Sequence, residues 1–438
     1  MDIILKRGVM IMSSDAYEIA KSKYAAIGIN TDEAIDKLKD IPISIHSWQL
    51  DDVMGFEVED AGLPSGGVIS IGNYPGRSRN IKEYRSDLEK VLSMVPGSKK
   101  KISLQSHEGD YKGKLADRND MSKSHFDSWI DWAKENKVGL DVSPVFYSHK
   151  YVKNGYTLAS GENFIRDYWV EYGKKNREVA NYVGEKMGIS CISNLWIPDG
   201  SKDVTPSRWE HRHILKQSLD EIYKIKYSRE NLIDTVESKL FGIGFEFYNA
   251  GTIEFCLAYA MSQKIGLTLD TGHFHPTEVV SDKISSVLPF LNDVVLHLSR
   301  GLHWDSDHIA TLTDELIVIM QEIKRADAFK KVHIGTDFFD ASMNRVGALS
   351  LGARAVCKAI LIALLEPTKM IKKAEDNGDY FSRLAIIEDL KLMPLGDVWG
   401  QYCKINSVPN DFEWIKEVLK YEKKVLVNRK LKNKIKRI

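Results

Sequence analysis

IGLTLDTGHFH, residues 265–275, joins a short apolar run to a polar turn that carries an aspartate and two histidines. The run Gly266–Asp270 has the length and composition of a strand buried in a parallel sheet. Seven similar runs occur along the chain, and longer amphipathic patterns typical of helices separate them. They are Pro42–His46, Lys101–Gln105, Gly139–Ser143, Ser190–Trp196, Ile233–Ser238, Asp293–Leu298 and Lys331–Thr336.

This alternation predicts an α/β protein built as a closed (β/α)8 TIM barrel, which we expect over residues 17–350. Residues 351–438 read as a C-terminal helical arm, too polar to form a second core. We expect this arm to pack on the barrel or on neighbouring subunits. Residues 1–16 are expected to be a disordered N-terminal extension. A ninth apolar run, Gly66–Gly72, is interpreted as an excursion inside the first β/α loop.

The overall composition argues against nucleic acid and membranes as binding partners. The 61 Lys and Arg residues balance 61 Asp and Glu residues, whereas a protein that binds nucleic acid through phosphates normally has a basic surplus. The four cysteines show no metal-binding spacing and lie in apolar stretches, which suits free thiols in a reducing compartment. We see no signal peptide and no stretch approaching the roughly 20 apolar residues that cross a bilayer. We therefore expect a cytoplasmic protein with no nucleic-acid or membrane partner.

Carboxylates and histidines collect where the last four predicted strands end. They are Glu237, Asp270, His297 and Asp337 at the strand ends, with His273, Asp305 and Asp307 in the turns that follow. Because active sites of such barrels lie at the carboxyl ends of the strands, we expect these side chains to meet. Oxygen-rich sets with some imidazole and no thiolate suit Mn²⁺, Mg²⁺ or Co²⁺ better than structural zinc. Two such clusters predict a pair of divalent ions at the barrel mouth.

Each of these residues alone also has an ordinary structural interpretation. An aspartate at a strand end often caps a helix or supports a turn. A histidine in an apolar run, such as His297, is usually a hydrogen-bonded core residue, and Lys239 could be a surface lysine. The joint occurrence at four consecutive strand ends favours the metal interpretation.

At these residues the chain resembles the L-rhamnose isomerase family. The matching segments include VESKLFGIG (236–244), LDTGHFHPTEVVSDKIS (269–285), LHLSR (296–300), WDSDH (304–308) and HIGTDFFDASMNR (333–345). Further matches are ISIHSWQLDDVMGFE (43–57), GNYPGRSRN (72–80) and NLWIPDGSKD (194–203). The resemblance extends from about Tyr17 to Val427.

The resemblance implies a homotetrameric enzyme that converts L-rhamnose to L-rhamnulose in rhamnose catabolism. It implies Lys239 and Asp337 as catalytic residues, with Lys239 near the sugar oxygens and Trp196 as an apolar wall for the substrate. It also implies two divalent ions, with Mn²⁺ expected and Co²⁺, Zn²⁺ or Mg²⁺ as alternatives. One ion would be held by Glu237, Asp270, His297 and Asp337, and the second, catalytic one by His273, Asp305 and Asp307.

One position departs from the family pattern. Related proteins carry a histidine at the end of the second strand, where this chain has Gln105 and, two residues later, His107. Whether His107 takes that place stays open at this point. Three other functions also stay open: another aldose isomerase or epimerase on a xylose-isomerase-like barrel, a metal-dependent phosphodiesterase, and a non-catalytic sugar-binding barrel.

Overall fold

The central sheet consists of eight parallel strands, and each coincides within one or two residues with a predicted run. The computed structural model describes residues 13–56, 68, 70–113, 116–241, 244–302 and 307–429. The strands are β1 (Ile43–His46), β2 (Lys100–Gln105), β3 (Gly139–Ser143), β4 (Cys191–Trp196), β5 (Leu232–Glu237), β6 (Gly266–Asp270), β7 (Val294–Leu298) and β8 (Val332–Thr336). Backbone ladders join them in the order β3-β2-β1-β8-β7-β6-β5-β4.

The barrel closes between β3 and β4, which lie side by side without a backbone ladder. Side chains of β3 take its place. The amide of Ile192 donates to Asp141 Oδ1 at 2.7 Å, and the amide of Asn194 donates to Ser143 Oγ at 3.1 Å. We call this junction the seam. The expectation of an eight-stranded α/β barrel is confirmed.

Helices surround the barrel and continue beyond it. They are α1 (Ser13–Ala25), α2 (Thr31–Asp40), α3 (Ile81–Leu92), α4 (Asp127–Asn136), α5 (Asn163–Met187), α6 (Arg208–Ile222), α7 (Ile253–Gln263), α8 (Val280–Val287), α9 (Asp314–Arg325), α10 (Arg345–Leu364), α11 (Thr368–Asp376), α12 (Tyr380–Leu390), α13 (Leu395–Ile405) and α14 (Glu413–Lys424). A short antiparallel pair, Gly200–Ser201 with Tyr248–Asn249, ties together the loops that follow β4 and β5.

Side chains of the strands point alternately into and out of the barrel. On β5 the inward residues are Ile233, Thr235 and Glu237, and they pair in register with Ile192, Asn194 and Trp196 of β4. In the lower layer, Ile192 and Ile233 form an apolar cluster with Val295 of β7, whereas Ser44, Lys101 and Asp141 make the part near β3 polar. The middle and upper layers are polar. The upper layer, at the carboxyl end of the barrel, includes the predicted ligand Glu237.

Helix α10 is long and apolar enough to span a bilayer by length and composition, contrary to the expectation that no stretch approaches this size. Its most apolar 18-residue window is 78% buried within the protein. It packs against α2, α3, α9 and β1. It therefore serves here as a core helix of the barrel shell. All four cysteines are buried and free, as expected.

The observed helices can be compared with the predicted domain boundaries. Helix α1 begins at Ser13, so the disorder expected for residues 1–16 does not include residues 13–16, and residues 1–12 lie outside the described part. The predicted boundary at residue 350 falls inside α10. Most of the predicted Gly66–Gly72 run also lies outside the described residues. The division into barrel and arm stays a proposal.

Candidate metal centre

The first predicted cluster assembles at the carboxyl ends of β5, β6, β7 and β8. Ligand atoms of Glu237, Asp270, His297 and Asp337 all lie within 4.8 Å of one another. His297 Nδ1 is 3.1 Å from Glu237 Oε2, 3.2 Å from Asp337 Oδ2 and 3.9 Å from Asp270 Oδ2. Three carboxylates thus surround one imidazole nitrogen at the floor of the barrel mouth.

The second cluster lies beside the first and shares a residue with it. Asp270, His273 and Asp307 bring their ligand atoms within 4.8 Å of one another. Gly272 permits this approach, because a Cβ there would lie 2.9 Å from Asp307 Oδ1 and 3.2 Å from Asp270 Oδ1. Asp305, predicted as the third ligand of this cluster, lies outside the described residues. Asp270 was predicted for the first cluster alone, and the structure places it in both.

Glu237 links the two clusters from below. Its Oε1 lies 3.0 Å from His273 Nδ1, while its Oε2 faces His297. A carboxylate at Nδ1 fixes the imidazole tautomer and leaves Nε2 as the ligand atom, as is usual for metal-binding histidines. His273 Nε2 faces Asp307 Oδ1 at 3.9 Å.

The buried carboxylates of this centre carry negative charge that a bound cation would balance. Burial raises the pKa of Asp270 well above its usual range, and the carboxylates of Asp307, Glu237 and Asp337 act in the same direction. Burial alone would lower the pKa of His297, but Glu237 and Asp337 raise it well above its usual range. Asp270 Oδ2 is buried and has no hydrogen-bond partner among the described residues. Four crowded carboxylates and an orphaned oxygen fit a divalent ion.

Lys239 and Trp196 lie in the same cavity as both clusters. Lys239 is buried, with its Nζ 3.3 Å from His273 Nε2 and 5.1 Å from the centre of the Trp196 ring. The Trp196 ring stacks on His273 at 6.1 Å and contacts the Tyr147 ring edge-on at 5.5 Å. The structure brings the predicted catalytic lysine and substrate wall together beside the second cluster.

Two further residues support the ligands, and sequence reasoning missed both. Trp48, in the loop after β1, donates its indole N–H to Asp337 Oδ1 at 2.9 Å. Asn194, in the middle layer of the barrel, donates its amide to Glu237 Oε2. Both lie in segments that match the family pattern, but neither carries a charge or an imidazole that would have singled it out.

The last residue of β2 is Gln105, which stands where related proteins carry the histidine. It lines the cavity, and its Nε2 donates to the Tyr147 hydroxyl at 2.8 Å. His107 is buried one turn further, in the short 3-10 helix Ser106–Glu108, where its ring packs against Gly55. The chain bends at this turn instead of staying extended. A shift of two residues therefore does not return the side chain to the barrel mouth, and His107 does not replace the missing histidine.

An eight-stranded β/α barrel with two joined carboxylate–histidine clusters at its mouth defines a class of barrel proteins that hold divalent ions at the site of reaction. Comparison with known proteins places the chain within this class. The L-rhamnose isomerase (RhaA) family matches residues 11–429. The chain belongs to the L-rhamnose isomerase family.

Curated relatives match over nearly their whole length. An L-rhamnose isomerase of Rhodopirellula baltica is 47% identical over 414 residues, covering 94% of this chain and 96% of the relative. One of Mannheimia succiniciproducens is 47% identical over 416 residues, covering 94% and 98%. Among solved structures, an L-ribulose 3-epimerase matches with a TM-score of 0.44 and 11% identity, covering 73% of this chain and 95% of that one.

Proposed function

We propose that this protein is a metal-dependent aldose–ketose isomerase that interconverts L-rhamnose and L-rhamnulose. The observation that carries the proposal is the placement of Lys239 beside His273 in a cavity lined by both ligand clusters. The family match supports the substrate, because the curated relatives are named L-rhamnose isomerase.

The apolar part of the cavity lining suits a deoxy sugar. Trp48, Val53, Val145 and Tyr147 form a buried apolar cluster, against which Trp196 and Phe339 pack. L-Rhamnose ends in a methyl group, whereas most hexoses end in a hydroxymethyl group. Burying a methyl group on an apolar surface contributes roughly 1 kcal/mol, while burying an unpaired hydroxyl is unfavourable.

The ligand types favour two divalent ions, with Mn²⁺ proposed for both sites. Glu237, Asp270, His297 and Asp337 would hold one ion, and His273, Asp307 and Asp270, with Asp305 as a further proposed ligand, would hold the other. When bound, these ions polarise the substrate oxygens that gain negative charge during the reaction.

The protein's own residues then orient and stabilise the reacting sugar. An aldose and its ketose differ by two hydrogens moved between adjacent carbons, and negative charge develops on both oxygens. The Lys239 ammonium is buried beside the second cluster and is proposed to donate a hydrogen bond to the carbonyl oxygen of the sugar. Because the site excludes water, this positive charge stabilises the negative charge that develops on the oxygen more strongly than it would in solution. Trp48 holds Asp337 Oδ1, so that Asp337 Oδ2 faces His297.

Removal of divalent ions tests the proposed function directly. We expect protein dialysed against EDTA to lose at least about 100-fold of its L-rhamnose isomerase activity and to recover it with Mn²⁺. A panel of L-rhamnose, L-lyxose and L-mannose, assayed with each of Mn²⁺, Co²⁺, Zn²⁺ and Mg²⁺, then ranks substrates and ions. Full activity after exhaustive chelation would contradict the proposal.

Replacement of Lys239 by Met tests its proposed role at the carbonyl oxygen. Met keeps the apolar stem against Trp196 and removes the charge, so kcat should fall about 100-fold with little change in thermal stability. Lys283→Met is the matched control, because Lys283 also lies over an aromatic ring, Phe274, at 4.5 Å. Equal kcat values in the two variants would show that Lys239 does not contribute to the reaction.

We also propose a cytoplasmic homotetramer. Helix α12 supports this assembly, because it buries none of its residues within one chain. Two of its large apolar side chains are exposed, Phe381 at 82% and Leu384 at 67%. Exposed apolar side chains in such a row are typical of surfaces that meet another chain.

A further inference from the structure

We propose that Asn194 is the positioning residue of the metal centre. Through the Glu237 carboxylate, it sets the affinity of the protein for its divalent ions. This inference rests on the proposed function only in taking the two clusters to bind ions. It assigns a role to a neutral residue below the ligands.

Asn194 lies inside the barrel, where only a fixed partner can satisfy it. Its side chain is 4% exposed, and its amide Nδ2 donates to Glu237 Oε2 across the β4–β5 pair. Because Glu237 Oε2 also faces His297 and Oε1 faces His273, rotation of this one carboxylate would disturb both clusters.

Glu237 and two threonines together fix the Asn194 amide. Asn194 Oδ1 lies 2.9 Å from Thr235 Oγ1 and 2.8 Å from Thr268 Oγ1, and it accepts from these hydroxyls. A flipped amide would place its oxygen against the Glu237 carboxylate, a repulsive contact between two acceptors. The carboxylate therefore sets the orientation of the amide, and the two hydroxyls hold Asn194 in place by satisfying Oδ1. Neither threonine contacts a predicted ligand in these hydrogen bonds.

The arrangement spans three neighbouring strands, β4, β5 and β6, at one level of the barrel. Thr268 is two residues before Asp270 on β6, as Thr235 is two residues before Glu237 on β5. The polar middle layer is thus a support for the ligand layer directly above it. Groups that orient metal ligands typically change metal affinity about 10- to 100-fold when they are removed.

The test measures Mn²⁺ binding to chelator-treated protein by titration calorimetry and by the electron paramagnetic resonance signal of free Mn²⁺. We expect Asn194→Ala to raise the Kd for at least one ion about 10- to 100-fold. Asn176→Ala is the matched control, because Asn176 is a fully buried amide that donates to Ser193 Oγ at 2.9 Å, away from the clusters. Its Mn²⁺ Kd should stay within about twofold of that of the unmodified protein.

The double variant Thr235→Val, Thr268→Val keeps Asn194 but removes both donors to its Oδ1, so that the amide is held less firmly against Glu237. It should raise the Mn²⁺ Kd in the same direction, and it serves as the test if Asn194→Ala does not fold. A role confined to packing would lower the unfolding temperature of these variants and leave the Mn²⁺ Kd unchanged, which would overturn the inference. Absence of Mn²⁺ binding in the unmodified protein would instead contradict the proposed function.

Discussion

Replacement of Asp270 by Asn should lower kcat/KM for L-rhamnose about 1,000-fold, and added Mn²⁺ should not restore it. Asp270 is the one described residue shared by both ligand groups. Its Oδ1 accepts the Gly272 amide at 2.6 Å, while Oδ2 is buried and directed toward His297. Asparagine preserves the shape of the side chain but removes the charge and one acceptor oxygen. Both ions should therefore bind more weakly.

The control for this variant is Asp293→Asn at the opposite end of the barrel. Asp293 is also a buried carboxylate, and it pairs with Arg229 and His333 just before β7. Its loss should reduce stability while the activity per bound ion stays within about twofold. Steady-state kinetics together with metal analysis of both variants separate the two effects. An Asp270→Asn variant that binds both ions and keeps a near-normal kcat/KM would contradict the assignment of Asp270 as a ligand shared by both clusters.

Replacement of Gly184 by Ala should destabilise the protein by about 2–3 kcal/mol. A Cβ at this position of α5 would lie 1.9 Å from the carbonyl oxygen of Asn231, just before β5. That oxygen cannot move aside freely, because it accepts the Cys191 amide at the start of β4, at 2.8 Å. The usual gain of about 1 kcal/mol from Gly to Ala within a helix is therefore outweighed by the displacement of α5.

Thermal unfolding of the ion-loaded protein measures this effect. Gly161→Ala is the control, because a Cβ there would meet no atom within 4 Å. Its stability should change by less than about 0.5 kcal/mol. An unchanged unfolding temperature for Gly184→Ala would show that α5 can shift outward at little cost.

The strands of this fold were predictable because each is a short apolar run between polar turns, and their number alone indicates a barrel. Residues that bind ions were predictable for a related reason. A carboxylate or histidine at a strand end, as in Glu237 and His297, stands out against the buried run before it. Parallel strands bring such ends to one mouth without any knowledge of the loops.

Other features depend on contacts between distant segments, so no local pattern reveals them. Asp270 serves both clusters because Gly272 lets the following turn fold back tightly. The contact of Trp48 with Asp337 spans 289 positions in the chain. His107 differs from the expected strand-end histidine because the backbone bends at residue 106, which composition does not show.

The seam has a mechanical consequence for the whole barrel. Asp141 and Ser143 bind the amides of β4 through side-chain oxygens, and Asp141 also accepts the Ser44 hydroxyl at 2.7 Å. A side-chain acceptor can rotate with little movement of the strands, whereas a ladder bond moves only with its strand. The β3–β4 junction thus depends on two side-chain acceptors in place of a ladder, and it lies directly beside Asn194 and Trp196 of β4. A substitution that separates β3 from β4 should therefore displace Trp196 and Asn194, while the ladders from β5 to β8 keep the spacing of the ligands.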